Sequence, residues 1–368
     1  MDPVSAKQLR QELRAWLESN WDPNASLIQW RTKLTESGWG MPTWPTQWFG
    51  KDLPQALNPI VEEEFARINA VTVARTGIRL LAAATILEHG NDDQKSRYLP
   101  RILTGEDTWC QLFSEPGSGS DLAGAITRAD FDGTHWIVNG QKVWTTLAHV
   151  SKWGMLVART DPDQPKHKGM TYFLLDMESP GVEVRPLHQI TGEAEFNEVF
   201  FDEATTDADL VVGEPGNGWA VAMGTLAFER GASTLGQQTG FRQELEDLVH
   251  LARLTGTLDD PVLRQDLSRA YAELEIMRFN QLRMLSALGN GRVPGPEMSI
   301  GKLYWATWHR RLGELGLRVR GASGMVGETA TPPMEDPLGH GYRLDALQRT
   351  FLYSRCLLYT SPSPRDRG

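Results

Sequence analysis

The 368-residue sequence predicts an α+β multidomain chain, with an N-terminal α-helical domain, a central antiparallel β domain and a C-terminal helical bundle. Three observations carry this reading. Apolar residues recur at helical spacing before about residue 105, cluster as short strands between turn signals from 109 to about 209, and return to helical spacing after 218. We place the domains at 1–108, 109–214 and 215–356, with 357–368 a disordered or foreign tail.

In the first domain Leu9, Leu13 and Trp16 fall at spacings of four and three, the stripe of a surface helix. A loop from Gly38 to Gly50, dense in tryptophan and proline, interrupts the helices, and Trp39, Trp44 and Trp48 are expected to pack it onto the core. In the β domain, Asp132-Gly133 and Asn139-Gly140 read as two-residue hairpin turns flanking Trp136 to Val138. Met155 to Ala158, Met170 to Leu175 and Val199 to Phe201 are further strand candidates. Asp260-Pro261 starts a helix with a capping carboxylate before a first-turn proline. Leu263, Leu267, Ala270, Leu274, Met277, Met284 and Leu288 then form a bundle stripe that Gly289-Asn-Gly291 ends, and a second long helix runs from about Pro296 to Leu317.

Composition removes several classes of function. With 40% apolar residues a large core is available, while the longest mostly apolar stretch, Leu80 to Leu87, is too short to span a bilayer. No apolar signal core opens the chain, and two cysteines, Cys110 and Cys356, fit a reducing compartment, so a cytoplasmic location is expected. A formal charge of −10 with no basic stripe argues against general nucleic-acid binding. The sequon Asn24-Ala-Ser26 is expected to be idle. No HExxH, CxxC or P-loop occurs, and the eight histidines lack metal-ligand spacing, so no metal site is expected.

The functional signal begins where the apolar run Trp109 to Phe113 breaks at Ser114 into a turn rich in glycine and hydroxyls, Ser114-Glu-Pro-Gly-Ser-Gly-Ser-Asp121. Gly117 and Gly119 would let backbone amides approach a ligand closely, and Ser118 and Ser120 add hydroxyl donors. Such a loop suits phosphate or a flavin edge, although most loops of this composition are ordinary turns with surface serines. It is not the dinucleotide pattern, because Leu122 stands where that pattern needs a third glycine. In Gly140-Gln-Lys-Val-Trp-Thr-Thr146, Trp144 and Thr146 share one side of a strand, so an indole and a hydroxyl can reach one flat ligand. The plainer alternative is a core tryptophan beside a surface threonine.

These segments, followed in order by Gly192-Glu-Ala-Glu-Phe-Asn197, Gly213-Glu-Pro-Gly-Asn-Gly-Trp219 and Phe228-Glu-Arg-Gly231, closely resemble the acyl-CoA dehydrogenase family of flavoenzymes, over roughly residues 5 to 355. The resemblance implies a C-terminal four-helix bundle, bound FAD and an acyl-CoA substrate. It also implies loss of two hydrogens across the α and β carbons, a carboxylate taking the α proton and flavin N5 the β hydride. Gln111, Phe113, Ser114, Gly119 and Ser120 would then run along the flavin, with Ser120 also near the acyl-CoA. Trp144 would stack beside the ring and Thr146 would hydrogen-bond near N5.

Most members carry the catalytic glutamate in a late Gly-Thr-Ser-Glu loop, which is absent after Gln348 to Arg355, so the chain reads as truncated and, as written, weak or inactive. A minority carry it on a bundle helix just before an arginine, where Glu229-Arg230 stands. Glu229 is therefore the expected base. On a helix it shares a face with Ala222 and Leu226, and desolvation there should raise its pKa. Arg230 resembles an arginine near the acyl-CoA. Arg253 is an approximate counterpart of one that meets the flavin pyrophosphate from a neighbouring subunit, and Arg318 opens the segment where a family glutamine is replaced. An electron-transfer flavoprotein or similar acceptor and a homo- or hetero-oligomer are also implied. Two other readings stand beside this one: a non-catalytic partner subunit of a heteromeric enzyme, and a flavin oxidase or monooxygenase on the same fold.

Overall fold

The computed structural model describes residues 6–73, 77–232, 234–289, 298–329 and 342–359, with the side chains at 229–237, 285, 288–299, 328–343 and 356–359 outside that description. The chain packs as two units, the first comprising 1–118, 122–185 and 197–229, and the second 119–121, 186–196 and 230–368.

The first unit opens with α1 (Ala6–Asn20), α2 (Leu27–Ser37), α3 (Asn58–Arg67), α4 (Ile78–His89) and α5 (Asp92–Thr104). The α1 stripe buries Leu9, Leu13 and Leu17, while Trp16 lies at its edge, 5.5 Å from the Trp30 ring. Ser26, the hydroxyl residue of the sequon, caps α2 in a reciprocal box with Gln29, which satisfies two otherwise orphaned amides. Trp39 is buried beneath the Lys51 ammonium, and Trp44 and Trp48 pack partly buried on the core, as expected of that loop.

The strands are β1 (Trp109–Leu112), β2 (Arg128–Phe131), β3 (His135–Thr146), β4 (Trp153–Arg159), β5 (Met170–Asp176), β6 (Val182–Leu187) and β7 (Phe196–Asp207). They form one sheet in the order β1-β4-β2-β3-β7-β6, with β5 also on β4. The pairs β2–β3 and β4–β5 are antiparallel, and β1 joins β4 in parallel. All three strand candidates fall inside β4, β5 and β7. Asp132-Gly133 is a hairpin turn, its Asp132 carboxylate accepting the Thr134 and His135 amides at 2.7 Å. Asn139-Gly140 is not a turn: both residues lie within β3, with Asn139 paired to Arg128. The glycine serves close approach instead, since a Cβ on Gly140 would stand 2.7–2.9 Å from Thr127.

Alternation along β1 splits the sheet's two faces. Trp109 and Phe113 join the core that packs α4 and α5, and Cys110 and Leu112 join the opposite one. Burial pushes the Cys110 thiol up to about 12. Helix α6 (Gly218–Ala232) returns onto the first core through Val221 and Ala222.

The second unit contains α7 (Thr234–Leu254), α8 (Pro261–Gly289), α9 (Met298–Arg320), the short pair β8 (Glu328–Thr329) and β9 (Tyr342–Arg343), and α10 (Ala346–Tyr359). Asp260 accepts the Val262 amide at 2.9 Å and opens α8 as expected. Leu263, Leu267, Ala270, Leu274 and Met277 are buried against Trp308, Leu312 and Leu315 of α9, and Met284 is half-buried. The Leu288 side chain and residues 290–297 lie outside the described residues, as do 360–368 of the expected tail. No described helix is long and apolar enough to cross a membrane.

Candidate active site

Strand β1 delivers the first set of site residues. Gln111 is half-buried on the same side as Phe113, whose ring meets Tyr172 edge-on at 5.9 Å. At Ser114 the strand stops pairing as an edge and is fastened to β3 instead, the Val143 amide donating to the Ser114 carbonyl at 2.9 Å. Glu115 and Ser118 then close a tight reciprocal turn, their amides donating to each other's carbonyls at 2.8 and 3.0 Å. Pro116 and Gly117 form its exposed apex, and open space lies where a Cβ on Gly117 would project. Ser114 is half-buried. Gly119 and Ser120 belong to the second unit, Ser120 exposed and Gly119 half-buried.

Beneath this turn lies a buried ion pair that the sequence reading overlooked. Lys142 is 0% exposed and Glu115 5%. Lys142 Nζ donates to Glu115 Oε1 at 2.8 Å and to the Phe113 carbonyl at 3.0 Å. The Glu115 carboxylate also accepts the Ile126 and Thr127 amides at 2.7 and 2.9 Å. Burial pushes the Glu115 carboxyl up, but the Lys142 charge and the amide of Ile126 outweigh it and hold the group below the usual range. The far end of the loop is clamped by Arg159, whose guanidinium reaches the Ala123 carbonyl at 2.6 Å and that of Ala125 at 3.2 Å. Glu115 lies in the Ser114–Asp121 turn and Lys142 follows Gln141 in β3, so neither segment carries a local pattern that pairs the two.

Strand β3 delivers the second set. After the buried Lys142 and Val143, Trp144 turns left-handed at φ 60° and leaves its indole 42% exposed. Thr145 is buried, and its hydroxyl finds no hydrogen-bond partner among the described residues, while Thr146 is half-buried. Leu147 is again left-handed at φ 57°. Two bulky residues in this region within four positions form a strained stretch of the sort found at ligand sites. Asn197 secures it from below, donating to the Thr145 carbonyl at 2.9 Å and meeting His149 Nδ1 at 3.1 Å. Trp144 and Thr146 are thus both less buried than Thr145 between them, while the left-handed turn at Trp144 interrupts the regular alternation from which a shared side was expected.

The helix bearing Glu229 is seated on the same sheet. Gly218 opens α6 flush against β5, since a Cβ there would stand 2.4–2.6 Å from the Thr171 and Tyr172 backbone. The Thr225 hydroxyl meets Thr85 Oγ1 at 2.8 Å and Tyr172 Oη at 3.3 Å within the core. Glu229 lies one turn further on, with Leu226 partly buried before it. The side chains of Glu229 and Arg230 lie outside the described residues.

In the second unit Arg253 is exposed near the end of α7, at a cleft of about 270 Å³ shared with Arg242, Glu246, His250 and Tyr271. Arg318 is half-exposed and donates to Asp266 at 2.7 Å. An exposed indole, the half-buried Ser114 and Thr146 hydroxyls and a close-packed backbone with no exposed charge among them suit a flat, neutral heteroaromatic ring, so the residues of the first unit fit a flavin.

Comparison with known proteins agrees with this architecture. The acyl-CoA dehydrogenase N-terminal, middle and C-terminal domains match residues 4–106, 110–204 and 216–353. The acyl-CoA dehydrogenase IpdE1 of Mycobacterium tuberculosis is 42% identical over 366 residues, covering 95% of this chain and 91% of that protein. Its namesake in Mycolicibacterium smegmatis is 38% identical over 379 residues, covering 96% and 92%. A solved structure described as the Tcur3481-Tcur3483 steroid ACAD is 26% identical with a TM-score of 0.72, covering 98% of this chain and 93% of that one. The chain belongs to the acyl-CoA dehydrogenase family, whose members are flavoproteins, and is an oxidoreductase of that class.

Proposed function

We propose that this chain carries out FAD-dependent α,β-dehydrogenation of an acyl-CoA thioester, with Glu229 as the base for the α proton. The observation that carries the reading is the Ser114–Val143 junction, which fastens the hydroxyl-bearing turn to the strand that bears the exposed Trp144 indole and the half-buried Thr146. Bound FAD would accept the hydride that leaves the β carbon. Gln111, Phe113, Ser114 and Gly119 line the flavin in this reading, Trp144 stacks on it and Thr146 donates to its edge. Glu229 takes and holds the α proton in this reading. Ser120 and Arg230 are assigned to the acyl-CoA, and Arg253 and Arg318 to the FAD phosphates, Arg318 by exchanging its Asp266 partner for a phosphate oxygen.

We assign a steroid-bearing acyl group as the substrate class, because the related structure at 26% identity is described as a steroid ACAD. An electron-transfer flavoprotein or similar acceptor, an oligomeric assembly and a cytoplasmic location complete the reading. Anaerobic mixing of FAD-loaded protein with steroid-side-chain and straight-chain acyl-CoA thioesters, followed by flavin bleaching, tests it. Steroid thioesters should bleach fastest, and Glu229→Gln should slow bleaching by about 10³-fold while the flavin stays bound. Unchanged bleaching in that variant sinks the base assignment.

A further inference from the structure

A fully buried ammonium is expensive to desolvate, and a buried ion pair is commonly no more stabilising than apolar residues of the same volume. Cohesion alone therefore does not account for Lys142 and Glu115. Their bonds do. Lys142 Nζ fixes the Phe113 carbonyl at the end of β1, and Glu115 fixes the Ile126 and Thr127 amides where the loop returns to the sheet. Val143, next to Lys142, fixes the Ser114 carbonyl, and Trp144 turns left-handed directly after it. Two ends of one loop and the base of the Trp144 kink thus share a single charge pair. An apolar residue at 142 could fill the space but could not hold the Phe113 carbonyl.

We propose that Glu115 and Lys142 are positioning residues that set the spacing between the Ser114 turn and the Trp144–Thr146 ledge, and thereby the fit of the flavin ring. The flavin half of this proposal rests on the cofactor reading above; the spacing half does not. The pair touches neither substrate nor reacting atoms.

The test compares the full chain with Glu115→Gln and with the double variant Glu115→Gln/Lys142→Met. Amide hydrogen exchange without flavin and FAD titration are the two readouts. The double variant should melt within a few degrees of the parent, because removing both charges removes their desolvation penalty. Exchange across 113–127 and 143–146 should nonetheless rise by about tenfold or more, and FAD affinity should fall by about tenfold. Glu115→Gln alone leaves the buried Lys142 ammonium without its counter-charge, so it should melt lower than the double variant while the same segments loosen at least as much. Because it keeps the side-chain size and an amide oxygen for Lys142, it carries the comparison should the double variant fail to fold. Unchanged local exchange overturns the proposal whatever FAD does. Loosened exchange with parental FAD affinity overturns its flavin half. A parent chain that refuses FAD overturns the cofactor reading, while the exchange comparison still decides the spacing.

Discussion

The two units hold their charged site residues in opposite ways. In the first, Glu115 and Lys142 are buried and bond backbone on both sides, so their geometry is set by the fold before any ligand arrives. In the second, Arg253 is exposed and Arg318 is half-exposed in an ion pair with Asp266, an arrangement that solvent screens and a ligand can replace. The difference separates a preformed surface from an adaptable one: in the proposed reading, ring recognition would be built in and phosphate recognition left to side chains that must move.

The comparison can be broken first at Gly140. Its φ of 147° and the 2.7–2.9 Å gap to Thr127 leave no room for a branched side chain. Gly140→Val should cost about 3 kcal/mol or more by chemical denaturation; a loss below about 1 kcal/mol would mean the junction is far more yielding than its contacts imply.

Glu64 lies between the two extremes, a carboxylate 1% exposed beneath arginines that are themselves partly in water. Arg14 bonds it at 2.7 and 2.9 Å, Arg10 at 2.9 Å and Arg67 at 3.0 Å. The Arg14 bonds, against the opposing effect of burial and with Arg10 and Arg67 adding, bring its pKa down to about 2 from 4.5. A lowered folded pKa stabilises fully above the ordinary value, so the contribution should be complete above pH 4.5 and disappear as pH falls through about 2. Glu64→Gln should lose about 1–2 kcal/mol at pH 7 after allowance for screening, and the gap to the parent should close in acid. A gap independent of pH would show that shape rather than charge holds α1 to α3.

The smallest effect is expected at Arg318. Arg318→Ala should change stability by less than about 1 kcal/mol. A tenfold weaker FAD affinity at unchanged melting temperature would sharpen the contrast by giving that arginine a phosphate; unchanged affinity would remove it from the site.

Much of the fold was legible because its signals are local. The α8 stripe and its Asp260 cap lie within one segment, and the strands around Met155 and Met170 are short apolar runs bounded by turns. Asn139-Gly140 misled for the same reason: a glycine pair inside alternating residues carries a hairpin signal, whereas the need at Gly140 is tertiary, the approach of Thr127. Strand periodicity led to the expectation of a shared side for Trp144 and Thr146, but the left-handed backbone at Trp144 was not legible, since tryptophan has no local preference for it. Glu115 and Lys142 are 27 positions apart, and nothing in either segment announces a partner at that distance. The α1 stripe slipped by one residue, from Trp16 to Leu17, because an indole at a helix edge satisfies the same spacing.

Gly218 has a consequence for anyone wishing to broaden the range of molecules this protein accepts. Its bare α-carbon rests on the Thr171 and Tyr172 backbone, so the first turn of α6 has no slack. A side chain there would lever the entire rod away from the sheet and carry Glu229 with it. Redesign should spare that hinge-less seat and alter residues that can yield individually.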